Sequence, residues 1–196
     1  TAVGYAALLV QSQGYHNTAV GSTAGEAVTT GRNNTLIGWQ AGTSGSNHTV
    51  DSDHNRVVIG NDDVTHSYIQ ADWTIGSDVR DKTDIETLPD DAGLKFVNQI
   101  RPVTYKWDKR SSYYPHGHEK YGERDHSKKS AEHQVGFIAQ ELKEVEKSIG
   151  WEEDHIVDTT NKDKYKLMNG QITPILVKAI QQLSAKVDEL ESKLNN

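Results

Sequence analysis

Glycine returns at a fixed interval in the first third of the chain. Thr1-Ala2-Val3-Gly4 recurs as Thr18-Ala19-Val20-Gly21 and, more loosely, as Thr35-Leu36-Ile37-Gly38, with the glycines 17 residues apart each time. Ala24-Gly25 and Ala41-Gly42 follow at matching offsets, and a fourth copy, Arg56-Val57-Val58-Ile59-Gly60, comes after a polar insertion around Ser44 to His54. Short β-branched runs closed by Gly and separated by Asn, Thr and Gly read as strands and turns. A unit this small cannot bury a face alone, so its copies must stack or pair with other chains. The interval matches none of the common helical solenoids. Two readings stand side by side: a fibrous β-shaft made by stacking, and a short irregular β-domain.

Composition supports association. The 196 residues are 34% hydrophobic, below the roughly 45–50% of an ordinary globular domain, and a chain this polar has little with which to bury a core alone. The absence of cysteine excludes disulfides, thiolate catalysis and cysteine zinc sites. No apolar run approaches the roughly 20 residues of a membrane span, and no basic-then-apolar signal segment opens the sequence, so no membrane partner is expected. A net charge of −7 argues against a general nucleic-acid binder. The charges are unevenly placed: residues 1–76 hold only Arg32 and Arg56 against six acidic residues, and the first lysine is Lys82. Ten of the 16 glycines precede Ser77. This break in composition marks a domain boundary near 76–82.

Beyond it the chain reads as mixed. Residues 92–100 place apolar side chains at helical spacing, Pro102 stops them, and Val103-Thr104-Tyr105-Lys106-Trp107 alternates as a strand does. Ser111 to Ser130 reads as an exposed loop. Val135 to Gln140 reads as a buried strand or an entry from strand to helix, continued by a helix from Glu141 to Ile149 that Gly150 ends. From Pro174, a first-turn proline, Leu176, Ile180, Leu183, Val187, Leu190 and Leu194 form a heptad seam, with Ile180, Val187 and Leu194 at a and the other three at d. In isolation β-branched a with Leu d favours dimers, but a seam of three heptads obeys that rule poorly.

Chemistry is concentrated at the boundary, in Gly76-Ser77-Asp78-Val79-Arg80-Asp81-Lys82. A serine with a lysine nearby forms a nucleophile–base pair only if the lysine loses its proton, which needs burial or a neighbouring cation. Arg80 acts in that direction; Asp78, Asp81 and Asp84 act against it. Five residues apart on a helix, Ser77 and Lys82 would diverge by about 140°, and on a strand they would face opposite ways. The pair therefore needs a turn, or a hydroxyl and an amine from different chains. On spacing alone a charged surface turn is the ordinary reading.

Ser77-Asp78-Val79-Arg80-Asp81-Lys82 resembles the S-D-x-R-x-K motif that opens the C-terminal intramolecular chaperone auto-processing domain of phage tailspikes, tail fibres, endosialidases and neck appendages. Three further segments are similar in the same order: Gly93 to Trp107, with Leu94, Ile100, Pro102-Val103, Tyr105 and Trp107; Val135-Gly136-Phe137-Ile138-Ala139-Gln140-Glu141-Leu142; and Tyr165-Lys166-Leu167 with Pro174 to Leu183. The likeness covers about 77–196. Met168-Asn169-Gly170-Gln171 departs from it, standing where a more apolar lead-in is expected.

The resemblance implies an α+β intertwined homotrimer in three parts: a β-repeat shaft end over 1–76, a mixed α+β chaperone body over 77–165, and a helical arm over 166–196. It implies a chaperone of the same chain's upstream fibre, which then cuts itself off as a single-turnover serine endopeptidase. Ser77 would be the nucleophile, Lys82 the base, and Ser77–Asp78 the scissile bond, with Asp78 and Arg80 shaping and polarising the turn. A hydroxyl attacking its own residue's carbonyl would close a four-membered ring. Attack on the Gly76 carbonyl would cut before the serine, so a cut after it implies attack across chains or an activated water. The mature fibre would sit in the virion after assembly in the host cytoplasm, with the chaperone part released and no cofactor required. Two rivals stand beside this: a non-cleaving trimeric tip that contacts a host surface glycan, and a membrane-tethered transcription factor released by a similar domain, for which no basic DNA-binding segment is visible.

Other features have plainer readings. His116, His118, His126 and His133 fit no common zinc spacing. Asp51, Asp53, Asp62 and Asp63 lack the 12-residue calcium loop and read as turns. Asn33-Asn34-Thr35 and Asn47-His48-Thr49 are sequons that carry little weight in a phage product. Trp39, Trp73, Trp107 and Trp151 read as packing anchors, with Trp39 the candidate carbohydrate platform.

Overall fold

The structure is a computed structural model, and it describes residues 1–115 and 117–195. His116, one of the four histidines weighed as ligands, and Asn196, the last residue of the expected arm, lie outside these. The architecture is mixed α and β and carries a long C-terminal helix. The chain divides into two compact units, one of residues 1–72 with 106–132 and the other of 73–105 with 133–196.

In the first unit each repeat contributes one short strand: β1 (Ala2–Val3), β2 (Thr18–Val20), β3 (Thr35–Ile37) and β4 (Val57–Ile59). They pair in parallel in sequence order, so that Ala2 faces Ala19, Ala19 faces Leu36 and Leu36 faces Val58. The step from strand to strand is 17 residues twice and 22 at the last, where Thr35 faces Val57. Alternation then fixes two rows. Ala19 and Leu36 point inward and are fully buried with Ala24, Val28, Ala41 and Val50. Val3, Val20, Ile37 and Ile59 point outward and are exposed.

The glycine interval has a steric cause. Gly21 has φ +134°, and a Cβ there would fall 2.6 Å from the Gly38 carbonyl oxygen, so only glycine lets successive turns close to strand spacing. Buried asparagines satisfy the backbone between rungs. Asn17 Oδ1 accepts from the Asn34 amide at 3.0 Å, and Asn34 Oδ1 accepts from the Arg56 amide at 3.0 Å. Their side-chain amides donate to the Gly31 and Asp53 carbonyls at 2.8 and 2.9 Å. Val50 resumes the inner row of Val28, so the lengthening of the last rung is confined between Gly42 and Val50, where Ser46 is buried and donates to the Thr43 and His48 carbonyls.

In the second unit, β5 (Val103–Tyr105) pairs antiparallel with β6 (Gln134–Gly136), and β7 (Val157–Asp158) with β8 (Lys166–Leu167). Helices α1 (Leu94–Val97), α2 (Ala139–Ser148) and α3 (Ile172–Leu194) complete it. Phe96, Leu142, Ile156, Val157, Ile172 and Ile175 form its core, with Trp151 packed against Phe96 at 6.0 Å between ring centroids. The helix expected over 92–100 is shorter: a 3-10 turn (Asp90–Ala92) runs into the single turn of α1, and Gly93 between them lies so close to Gln182 that a Cβ would meet its Oε1 at 2.3 Å. Gln182 caps the turn by accepting from the Leu94 amide and donating to the Asp90 carbonyl. Val135, expected in a buried strand, is 80% exposed.

The long helix has two apolar faces. Ile172, Ile175 and Ala179 are buried against the unit. Leu176, Ile180, Leu183, Val187, Leu190 and Leu194, the whole heptad seam, are exposed on the single chain. Trp39, Trp73 and Trp107, read as packing anchors, are likewise exposed, and only Trp151 of the four joins a core.

Candidate active site

Residues 63–87 run exposed without a break, and the stretch before Val79 belongs to no helix or strand. Order begins at Asp78. Its carboxylate accepts from the Arg80 amide at 2.9 Å and caps a 3-10 turn over Val79–Asp81, an aspartate's ordinary use at such a position. The Arg80 guanidinium grips the same carboxylate, through Nε at 3.0 Å and a terminal nitrogen at 2.6 Å. That hydrogen-bonded side chain, with the backbone amide second, holds the Asp78 carboxyl below the usual aspartate range and raises the Arg80 guanidinium in turn.

The turn closes when the Lys82 amide donates to the Val79 carbonyl at 3.2 Å. The chain then reverses enough for Lys82 Nζ to donate to Ser77 Oγ at 2.6 Å. Neither a helix nor a strand could bring these two together; the 3-10 turn between them does, within one chain. Because Arg80 occupies both oxygens of Asp78, that carboxylate is engaged away from the lysine. Gly76 has open space around it, with nothing within 4 Å of a Cβ placed there, so the peptide preceding Ser77 is accessible. Cavities of about 640 Å³ beside the first repeat and about 400 Å³ between Trp151 and Pro174 do not include Ser77 or Lys82. Among the described residues no group of three or more His, Asp and Glu is placed to hold a metal ion, and no helix is long and apolar enough to cross a membrane.

Two arrangements escaped the sequence. Lys143 and Glu146, three apart on α2, look like a solvent-facing pair, yet both are buried. Lys143 Nζ lies 3.2 Å from Glu146 and from Asp154, and donates to the Glu153 carbonyl at 2.8 Å. Glu146 accepts from the Ile156 amide, so the pair straps residues 152–156 to the helix. In the first unit Asp108 is a hub: Tyr113 donates its hydroxyl to it at 2.7 Å, and His126 and Arg124 lie at 2.6 and 3.7 Å. No local pattern announces either, because the loop over 152–156 is what buries the Lys143–Glu146 pair, and the partners of Asp108 come from a loop as well.

Residues 77–151 match a peptidase family described as chaperone of endosialidase. The match begins at Ser77 and takes in the turn, α1, β5, β6 and α2. No curated protein matches the chain.

Proposed function

Because residues 77–151 match the family described as chaperone of endosialidase, we propose that the chain is the C-terminal end of a phage tail fibre or spike. Its residues from 77 onward drive homotrimerisation and folding of the upstream β-fibre, then part from it by scission at Ser77–Asp78. The observation that carries this is the 2.6 Å hydrogen bond from Lys82 Nζ to Ser77 Oγ, formed across a turn that Asp78 and Arg80 hold in place.

Lys82 takes the Ser77 Oγ proton as the oxygen attacks the Ser77 carbonyl of a neighbouring chain. The proton passes to the departing Asp78 amine, and water hydrolyses the resulting ester. An ammonium serves as a base only after losing its proton, which desolvation promotes. Ser77 and Lys82 are exposed on the single chain, so desolvation falls to the other chains and scission reports assembly. Two exposed apolar rows support association with further copies: Val3, Val20, Ile37 and Ile59 along the strands, and the heptad seam of α3. The first row repeats at strand spacing, a pitch that another copy of the same stack shares. Non-local parallel pairing is slow to nucleate, and a clamp that gathers three chains raises their local concentration.

Incubating the purified chain and weighing it under denaturing conditions tests the proposal. Two fragments meeting at Ser77–Asp78 are expected, absent from Ser77→Ala and from Lys82→Met. A single intact mass from a folded trimer would instead favour the non-cleaving receptor tip.

A further inference from the structure

The stretch leading into Ser77 has the sequence of a strand but does not form one. Ile69-Gln70-Ala71-Asp72-Trp73-Thr74-Ile75 alternates apolar with polar, and Ser77 and Val79 continue the same parity. Residues 69–78 nevertheless belong to no helix or strand. Trp73 is 69% exposed and Ile75 83%, and Val79, in the turn that joins Ser77 to Lys82, is 66% exposed. Large apolar side chains at regular spacing beside a serine–lysine pair mark a surface that a partner covers. The chemistry names that partner. Ser77 Oγ would close a four-membered ring on its own residue's carbonyl, so a cut at Ser77–Asp78 needs the carbonyl of another copy. Copies of one segment laid side by side in register set each Ser77 next to its counterpart, about 4.8 Å apart at strand spacing.

We propose that Trp73 to Ser77 lies in register against the same segment of two further copies, and that Ile75 with Trp73 forms an apolar collar that shuts water out from Ser77 and Lys82. This rests on the reading of scission across chains at Ser77–Asp78. In an extended chain residues 73, 75 and 77 share one face, so the face turned to the neighbouring copies carries the hydroxyl together with the two apolar side chains. Ile75 then stands two positions, about 6.6 Å, ahead of the hydroxyl. Asp72, Thr74 and Asp78 fall on the other face, which keeps their polar groups out of the collar. Asp78 is further engaged by Arg80, through Nε at 3.0 Å and a terminal nitrogen at 2.6 Å. Lys82 Nζ already donates to Ser77 Oγ within one chain, so what the copies add is the removal of water, and an ammonium among apolar groups gives up its proton more readily. Ile75 touches no reacting atom and is a positioning residue.

The chain has no cysteine, so one introduced thiol reports on one position. In the full chain carrying Ser77→Ala, Ile75→Cys and Thr74→Cys are each treated with a short bifunctional thiol reagent and separated under denaturing conditions. Covalent dimers are expected from position 75 and few from position 74, which lies on the opposite face. Both positions are exposed on the single chain, so neither change disturbs a core. A second arm keeps Ser77 and follows scission by mass. Ile75→Ser is expected to slow it about tenfold, the order that burying one aliphatic side chain supplies, with the sedimenting mass of the uncut assembly unchanged. Ile75→Leu is expected to restore the rate. Absence of scission in the parent chain would overturn the cleavage reading alone, since the cross-linking arm still decides the collar. No interchain product from position 75, or equal yields from 74 and 75, would overturn the pairing. Wild-type scission by Ile75→Ser would overturn the exclusion of water by Ile75.

Discussion

Lys143 shows how much depends on single buried charges here. It is 6% exposed and Glu146 is fully buried. Burial works against the Lys143 ammonium, yet Asp154 and Glu146 together raise its proton affinity above the ordinary lysine value. Lys143→Met leaves Glu146 without a counter-charge, and removing one partner of a buried pair costs about 3–5 kcal/mol. Denaturant unfolding should show a loss of that order, and adding Glu146→Gln should return part of it, because the amide oxygen can still accept from the Ile156 amide. At this scale the sequence was legible where a motif spoke and silent elsewhere. The S-D-x-R-x-K pattern drew attention to Ser77 and Lys82, whose spacing required a turn for them to meet, and the structure joins the two across one. The Lys143 strap could not be named, because the loop over 152–156 that buries it carries no pattern of its own.

The elements separate along the same line. The seam of α3 was readable because heptad spacing is a property of one helix; its second face, Ile172, Ile175 and Ala179, depends on what the helix lies against. The two faces should respond differently to substitution. Ile175→Ala removes a core side chain and is expected to cost about 2–5 kcal/mol in equilibrium unfolding. Ile180→Asp with Leu183→Asp touches only exposed positions and should leave the melting of the single chain little changed, while lowering the mass seen by sedimentation. Strand positions in the repeats followed from the glycine interval and alternation. The contraction of 92–100 to a single helical turn did not follow, because the approach of Gln182 to Gly93 that shapes it comes from 89 residues further along the chain.

For the molecule as a whole, acid is the condition that acts at most points at once. Hydrogen bonds from Lys178 lower Asp90, from Tyr113 lower Asp108, and from Arg101 lower Glu141. Asp154 is opposed by burial yet still lowered by Thr159 and Lys143. A carboxyl depressed on folding contributes stability that is present above its ordinary value, 3.8 for aspartate and 4.5 for glutamate, and that is lost as pH falls through the folded value. Unfolding measured at pH 7 and 5 should therefore differ little, with the decline setting in below about pH 4. Which residues pack into which unit lay beyond sequence reasoning, since the return of 106–132 to the repeats is specified by the contact of Lys109 and Ser111 with Asp62 and by Asp108 rather than by any break in composition.

Near-identical rungs pose a threading problem. If every strand followed the last after the same number of residues, a chain could pair one rung out of phase and lose only an end contact. The step of 22 residues into β4 spoils that equivalence. A slipped pairing would strand the loop before Val50 in the wrong layer and bury nothing in its place. One long coil thus gives a monotonous ladder an origin from which to count.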